Sequence, residues 1–194
     1  MSNLYDSNGN RKYLTVQERT AFLDASRRMS QEVYTFCAVL AYSGARISEV
    51  MALTHEQIDL NARLVIIACL KKRRPNVYRA VPIPQELAVG LESVHGVRAA
   101  KQDPVRSRER LWNCCRTTAW NRVKYCMDKA NIAGTQASPK GLRHSFAIAA
   151  LQSGVPINFV RKWLGHARLS TTEIYANAVG EEEQTIASRF WDTF

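Results

Sequence analysis

Four side chains that can do chemistry lie close together near the C-terminal end of the sequence. Lys140 and Arg143 are cations three residues apart, so they share one side of a helix and can bind an anion together. His166 can exchange a proton near neutral pH. Tyr175 can act as a nucleophile if a base or cationic surroundings activate its phenol, whose ordinary pKa is about 10. How these four side chains are placed relative to one another depends on the elements that carry them.

Three short helices are predicted to carry these residues. In the first, Ser138 suits the N-cap and Pro139 the first helical position. The second ends at Gly165, because glycine suits a left-handed C-cap. The third begins at Ser170, and Glu173 three residues later completes the pattern of a capping box. The apolar residues that recur at helical spacing, and are expected to be buried, are Leu142, Phe146, Ala149, Ile157, Val160 and Leu164.

Four sequence boxes closely resemble the signature of the tyrosine recombinases, or phage integrase family. They are, in chain order, residues 43–49 (SGARISE), 143–147 (RHSFA), 164–166 (LGH) and 171–175 (TTEIY). The spacing is similar too, because His166 lies 23 positions after Arg143 and Tyr175 lies nine positions after His166. The resemblance covers about residues 13–180, and several separate boxes in the family's order make it specific.

The resemblance implies a role for each of these residues. Arg46 and Arg143 would hold the non-bridging oxygens of a DNA phosphate, since guanidinium groups form forked hydrogen bonds with oxyanions. Tyr175 would attack phosphorus, which forms a 3′-phosphotyrosine and frees a 5′-hydroxyl. His166 would orient the phosphate or accept the tyrosyl proton. A phosphotyrosyl ester keeps the bond energy, so rejoining would need neither ATP nor a metal, and no cofactor is implied.

In the family, a lysine on a β-hairpin protonates the leaving 5′ oxygen. Two β-rich runs, residues 64–68 and 77–81, flank a polar turn with four cations and predict such a hairpin. Counting along the chain from one side of the hairpin indicates Lys71, and counting back from the other side indicates Lys72. Adjacent residues of a strand face opposite ways, so only one of them can serve. We favour Lys72.

One position departs from the family pattern. Lys140 stands where the family usually has histidine, three residues before the second arginine. A lysine keeps a donor for the phosphate but loses the proton exchange of imidazole near pH 7. Glu49 resembles the acidic residue that follows the first arginine, and it would hold Arg46 in place. His144 is expected to have a structural hydrogen-bonding role, because it points away from the face of Arg143.

The remaining segments are predicted mainly as helices. Thr15 and Glu18 form a capping box that opens a helix, and Ser30 caps the next, which ends near Gly44. A helix is predicted after Pro84 up to about residue 93, followed by an exposed loop over residues 94–110. The helix of residues 116–131 is expected to bury Trp120, Val123, Met127 and Ala130.

Composition favours a polyanionic partner and excludes some classes of site. The 194 residues include 27 Lys and Arg against 17 Asp and Glu, a net charge of +10. The five cysteines include no CxxC pair, and the four histidines have no ligand spacing, so neither a disulfide framework nor a metal site is expected. Without a signal peptide or a long apolar run, a cytoplasmic protein encoded by a bacterium, phage or plasmid is expected.

We therefore expect a mainly α fold with a small antiparallel β-sheet (α+β), as in the family's catalytic domain. Residues 1–12 are expected to form a flexible leader, and residues 13–194 the catalytic domain. That domain includes a C-terminal docking helix with Ile186 and Trp191. The N-terminal domain with which relatives clamp DNA is expected to be absent. The partners implied are double-stranded DNA and further copies of the chain, as a homotetramer on two synapsed DNA sites and a monomer otherwise.

The function implied is that of a site-specific DNA recombinase or integrase. Two alternatives remain open at this point. A type IB topoisomerase-like nicking and closing activity would use the same chemistry on one duplex. A catalytically weak DNA-binding regulator of the same fold is favoured by Lys140 in the usual histidine position.

Overall fold

The computed structural model of the chain describes residues 4–69, 77–176, 187, 188, 190 and 191. Its principal elements are α1 (Val16–Arg27), α2 (Gln31–Ser43), α3 (Ile47–Met51), β1 (Ile58–Asp59), β2 (Leu64–Ala68), β3 (Tyr78–Pro82), α4 (Gln85–His95), α5 (Val97–Lys101), α6 (Arg116–Lys129), α7 (Pro139–Gln152), α8 (Ile157–Leu164) and α9 (Ser170–Ala176). Short 3₁₀ turns occur at His55–Gln57 and Arg106–Arg108. This mainly helical architecture confirms the predicted fold class. Among the described helices, none has the length and apolarity needed to cross a membrane.

Local sequence sets several helix ends. Thr15 accepts a hydrogen bond from the backbone of Glu18, whose carboxylate accepts one in return, so the predicted capping box at α1 is present. Ser30 and Ser138 cap α2 and α7 through their side-chain oxygens. At the other end of α2, Gly44 adopts φ 60°, a left-handed conformation that favours glycine.

The three strands form one antiparallel sheet in the order β1-β2-β3. β2 and β3 are paired with Val65 opposite Val81 and Ile67 opposite Arg79. Because side chains alternate along a strand, these four share one face of the sheet, and all four are buried. Arg79 is thus a buried cation on the inner face of the sheet. The turn between β2 and β3 lies outside the described residues.

The larger part of the core surrounds α2, which packs against α1, α4 and α7. The ring of Phe36 on α2 meets the ring of Trp112 edge to face, with centroids 5.4 Å apart. The indole nitrogen of Trp112 donates to the backbone carbonyl of Glu32, so its polar group is satisfied as well. Helices α3 and α7 and the sheet pack against this core.

A second apolar cluster joins the C-terminal helices to the N-terminal segment. Leu4 lies in the same buried cluster as Ile148, Leu164 and Tyr175. Lys12 donates through its backbone N–H to the carbonyl of Leu4 at 2.7 Å, which closes a short hairpin-like loop. Leu4 is therefore packed against the domain, although it falls in the flexible leader that was expected over residues 1–12, and residues 7–10 are exposed. The apolar side chain of Leu4 is buried, although the residues around it are mostly polar and predicted no burial.

Two other expectations need correction. Residues 94–110 contain α5 and a 3₁₀ turn, because Val97 and Ala100 are buried on one side of α5. Trp120 is 45% exposed, whereas Ala119 is fully buried on α6. Val123 and Met127 are buried as expected, whereas Ala119 and Cys126 complete the inner face of α6 in place of Trp120 and Ala130.

Candidate active site

Arg143 connects two loops that carry predicted site residues. Its Nη1 donates to the carbonyl oxygen of Gly44 at 2.7 Å, and its Nη2 donates to that of Leu164 at 2.7 Å. Gly44 lies two residues before Arg46, and Leu164 lies two residues before His166. One buried guanidinium on α7 therefore holds the first arginine box against the histidine box.

Burial and the positive charge of Arg46 lower the pKa of Arg143 to about 10. The effect of Arg46 is expected, since like charges held close together disfavour each other. At neutral pH Arg143 still carries its charge. An anion placed between Arg46 and Arg143 would relieve this repulsion, which makes the pair a suitable oxyanion site.

Glu49 holds the first arginine from inside the protein. Its carboxylate accepts from Nη1 of Arg46 at 2.9 Å and from the backbone N–H of Arg46 at 2.9 Å. Burial alone would raise the pKa of Glu49, but the hydrogen bonds and charges of Arg79 and Arg46 together outweigh burial, so the pKa lies below its ordinary value. Glu49 is therefore an anion at neutral pH, as the resemblance implied for a residue that positions Arg46.

Arg79 is a site residue that the sequence did not reveal. Its Nη2 donates to Glu49 at 2.6 Å, and its Nε donates to the carbonyl of Trp163 at 2.6 Å. The strand pattern held a signal, because Arg79 and Val81 are two residues apart and must share one face. A charged residue on an inner strand face needs a buried counter-ion. Only the fold identifies that partner as Glu49.

His166 follows the left-handed turn at Gly165, whose φ is 68°. Its Nδ1 lies 3.0 Å from Oγ1 of Thr172 on α9. Burial, together with the positive charges of Arg143 and Arg46, lowers the pKa of His166 to about 3. The imidazole is therefore neutral at pH 7 in this structure, so it can accept a proton or donate its single N–H.

Tyr175 lies on α9 between two imidazoles and is 4% exposed. The rings of Tyr175 and His166 are stacked, with centroids 6.3 Å apart and planes inclined by 12°. On the other side, the hydroxyl of Tyr175 lies 3.0 Å from Nδ1 of His144. Burial raises the pKa of Tyr175, and the positive charges of Arg143 and Arg46 oppose part of this rise. The phenol is therefore protonated at rest and needs a proton acceptor to react.

The predicted lysines are placed less directly. Lys140 is exposed near the start of α7, and its charge contributes to lowering the pKa of His144. Lys71 and Lys72 lie outside the described residues. Cys69, the last described residue before them, lies close to Gly165, which precedes His166. A Cβ built on Gly165 would be 3.2 Å from the sulfur of Cys69 and 3.1 Å from the side chain of Arg79.

Taken together, the fold assembles Arg46, Arg143, His166 and Tyr175 from four separate elements. The arrangement offers two fixed cations for an oxyanion, a neutral imidazole and a phenol beside them. Among the described residues, no group of three or more His, Cys, Asp or Glu side chains is arranged to hold a metal ion. The chemistry that these side chains can perform is nucleophilic attack by a phenol on an anionic centre.

Comparison with known proteins shows the family and the fold of the chain. Residues 12–182 match the sequence profile of the family described as Phage integrase family. One similar protein is the tyrosine recombinase XerD of Pasteurella multocida, which is 29% identical over 188 residues. The matched region covers 92% of this chain and 62% of that protein. The chain thus spans less than two thirds of this relative's length.

Solved structures share the fold. The crystal structure of XerA recombinase matches with a TM-score of 0.77 and 24% identity, covering 92% of this chain and 64% of that chain. The Tn1549 transposon integrase in complex with a circular intermediate DNA matches with a TM-score of 0.72 and 19% identity, covering 95% of this chain and 67% of that chain. At these identities the similarity establishes the fold, and it agrees with the predicted mainly helical catalytic domain.

Proposed function

Because the chain belongs to the phage integrase family of tyrosine recombinases, we propose that it is a site-specific DNA recombinase. It cleaves and rejoins DNA strands through a covalent bond to Tyr175. One observation carries this proposal: the hydrogen bonds from Arg143 to Gly44 and Leu164 bring Arg46 and His166 together around one site. Tyr175 stacks on His166 at the same place.

Arg46 and Arg143 would hold the two non-bridging oxygens of the scissile phosphate. Their charges neutralise the anion, so an approaching phenol meets less repulsion, and the bonds fix the phosphorus in position. Arg143 is well suited, since two carbonyls use only two of its five N–H bonds and orient the guanidinium. Glu49 and Arg79 would keep Arg46 in place during the reaction.

Tyr175 would attack phosphorus, forming the P–O bond to the protein while the bond to the 5′ oxygen breaks. The leaving 5′ oxygen takes a proton from a lysine, for which we propose Lys72, with Lys71 as the alternative. The hairpin that carries both lysines has its base against Gly165, directly before His166. Lys140 would act as a further phosphate donor at the exposed start of α7.

Double-stranded DNA is the proposed substrate. The net charge of +10 suits a polyanion, and the similar Tn1549 integrase was solved in complex with DNA. Since the chain covers 62% of the XerD sequence, the activity of a whole recombinase is part of the proposal. Binding by phosphate contacts should weaken steeply as salt is raised.

Four copies would assemble on two DNA sites, and the C-terminal segment of residues 181–194 would dock on a neighbouring copy. Phe190 and Trp191 are each 61% exposed, and docking would cover their apolar surface. Ile186, which was assigned to the same stripe, lies outside the described residues. Deleting residues 181–194 should reduce multimer formation on DNA more than DNA binding, as measured by gel shift. Unchanged multimers would rule out this docking.

The test of the proposed function is covalent capture. A pool of nicked DNA duplexes with randomised sequence around the nick is incubated with the 194-residue protein, and SDS-resistant adducts are recovered and sequenced. We expect a 3′-linked adduct, and the recovered DNA sequences should share a common site. Tyr175→Phe should bind the selected duplex without attaching, whereas Tyr125→Phe, at an exposed tyrosine on α6, should attach normally. An adduct that persists in Tyr175→Phe would contradict the assignment.

A further inference from the structure

His144 makes a contact that its expected structural role does not explain. It lies on α7, is 4% exposed, and places Nδ1 within 3.0 Å of the hydroxyl oxygen of Tyr175. The two ring centroids are 5.6 Å apart. No other hydrogen bond to the Tyr175 hydroxyl is present among the described residues. His144 is therefore in direct contact with the atom that would attack phosphorus.

The direction of this hydrogen bond follows from counting unsatisfied groups. Nε2 of His144 is buried and has no hydrogen-bond partner among the described residues. If Nδ1 donated to Tyr175, both the phenol proton and the lone pair of Nε2 would be left unsatisfied. If Tyr175 donates to Nδ1, only the N–H at Nε2 is left. A buried polar group without a hydrogen-bond partner destabilises the fold, so the arrangement that leaves only one such group is favoured.

The charge state of His144 agrees with this direction. Burial lowers its pKa to about 4, and the positive charges of Lys140, Arg143 and Lys12 contribute to the same shift. Lys140 and Arg143 share α7 with His144, Lys12 belongs to the N-terminal segment, and Tyr175 faces it from α9. The imidazole is therefore neutral at pH 7, with an open lone pair on Nδ1 aimed at the phenol.

We propose that His144 is the catalytic base that accepts the proton of Tyr175 during DNA cleavage. The inference rests on the proposed function and names a further residue of the same site. As the bond between the Tyr175 oxygen and phosphorus forms, the phenol proton passes to Nδ1 of His144. The bond to the 5′ oxygen breaks, and that oxygen takes its proton from the hairpin lysine. Rejoining reverses both transfers, so His144 returns the proton to Tyr175.

The other candidate bases are less well placed. Lys140, at the family's usual histidine position, is exposed and cationic, so it has no lone pair to offer at neutral pH. His166 presents its ring face to Tyr175, with the planes inclined by only 12°, and its Nδ1 is engaged by Thr172. His144 alone among the described histidines points a ring nitrogen at the phenol oxygen.

Substrate binding would strengthen this base when it is needed. A phosphate held by Arg143 brings negative charge close to His144, and it offsets the cations that lower the histidine's pKa. The pKa of His144 should rise on binding and approach the range in which a general base is effective. Without DNA, burial and these cations keep His144 neutral, and burial keeps Tyr175 protonated, so the site rests in an unreactive state.

The test separates proton transfer from positioning. His144→Asn can place an amide oxygen near the position of Nδ1, so it can still accept the hydrogen bond of Tyr175 but cannot take its proton. His144→Ala removes both. The substrate is the nicked duplex selected by covalent capture, made with sulfur at the bridging 5′ position so that leaving-group protonation is not required. The measurement is the single-turnover rate of adduct formation as a function of pH.

We expect both variants to lose about 10²–10⁴-fold in rate near pH 7, the usual contribution of general base catalysis. Their rates should rise about tenfold per pH unit toward the pKa of Tyr175, since only the phenolate then reacts. The unsubstituted chain should show a shallower dependence. Added imidazole should speed His144→Ala. The matched control is His55→Asn, at a buried histidine that contacts the carbonyl of Glu109 remote from the site, and it should cleave at the wild-type rate.

The outcomes are distinct. If His144→Asn cleaves as fast as wild type, His144 only positions Tyr175 and the proposal is wrong. Faster cleavage by His144→Ala would overturn it too, since His144 would then restrain the nucleophile. A rate loss that is equal at every pH and resists added imidazole would reduce His144 to a structural residue. If the unsubstituted chain forms no adduct with any duplex of the pool, the proposed function itself fails, independently of the His144 variants.

Discussion

Arg79 on β3 donates a hydrogen bond to Glu49 on α3 at 2.6 Å, and the two side chains are 3% and 0% exposed. The same guanidinium reaches the carbonyl of Trp163 at the end of α8. Three elements that surround the site therefore meet at one buried ion pair. The pair links the sheet, whose hairpin carries the proposed proton donor, to the helix that Arg46 opens.

Removing the charge of one partner of this ion pair should lower the free energy of unfolding. Glu49→Gln keeps the shape of the side chain but leaves the charge of Arg79 buried without a counter-ion. We expect a loss of about 3–5 kcal/mol in the free energy of unfolding, measured by urea denaturation. The control is Glu86→Gln in the surface pair with Arg27, where we expect about 1 kcal/mol or less. Equal losses in the two variants would show that burial adds nothing to the Glu49 pair.

Gly44 and Gly96 form a matched pair for separating steric overlap from backbone strain. Both have a left-handed φ, 60° and 57°. A Cβ at Gly44 would overlap the ring of Phe146, whereas a Cβ at Gly96 would meet nothing within 4 Å. We expect Gly96→Ala to cost about 1 kcal/mol from strain and Gly44→Ala about 1–3 kcal/mol more from overpacking, by urea denaturation. A smaller loss for Gly44→Ala than for Gly96→Ala would refute this.

The folded protein should become less stable in mild acid. Burial lowers the pKa of His95 and His144 to about 4 and that of His166 to about 3, whereas an unfolded chain titrates near 6.5. Since the folded pKa values are depressed, this stability is present above about pH 6.5 and is lost as the pH falls toward them. We expect the free energy of unfolding to fall by at most about 4 kcal/mol per pH unit between pH 6 and 5. A flat profile there would contradict the neutral state of these histidines.

The identity of the general acid can be tested with sulfur at the bridging 5′ position. A thiolate leaves without protonation, since thiols titrate near about 8.5 and water near about 15.7. The 5′-thio duplex should therefore restore cleavage to Lys72→Ala, or else to Lys71→Ala. It should leave Lys140→Ala, Arg46→Ala and Arg143→Ala impaired, because a phosphate clamp acts on other oxygens. If only Lys140→Ala is rescued, the hairpin is not the source of the proton.

Local signals in the sequence were enough for several helix ends and for β2 and β3. The capping box of Thr15 and Glu18 and the left-handed stop at Gly165 depend on neighbouring residues, so they can be recognised without the fold. The expected strand at residues 64–68 coincides with β2 for the same reason. The resemblance predicted that Arg143 and Tyr175 belong to a common site, and in the fold the charge of Arg143 acts on the pKa of Tyr175.

What the sequence could not provide depends on distant partners. Arg79 meets Glu49 across 30 positions, and nothing near Arg79 in the chain indicates a counter-ion. His144 was expected to face away from the chemistry, because only the packing of α9 on α7 brings Tyr175 to it. Leu4 was assigned to a flexible leader, since a single apolar residue in a polar segment gives no periodic signal.

The hydrogen bonds of Arg143 determine which substitutions its orientation can tolerate. Both acceptors are main-chain carbonyls, and every residue type carries one, so no side-chain replacement at position 44 or 164 deletes an acceptor. In a library that randomises the two loops, the orientation of Arg143 should survive most substitutions at positions other than Gly44. It should be lost mainly in variants that redirect the backbone, as a side chain at Gly44 would. The orientation of Arg143 therefore depends on the path of the main chain more than on the side chains at positions 44 and 164.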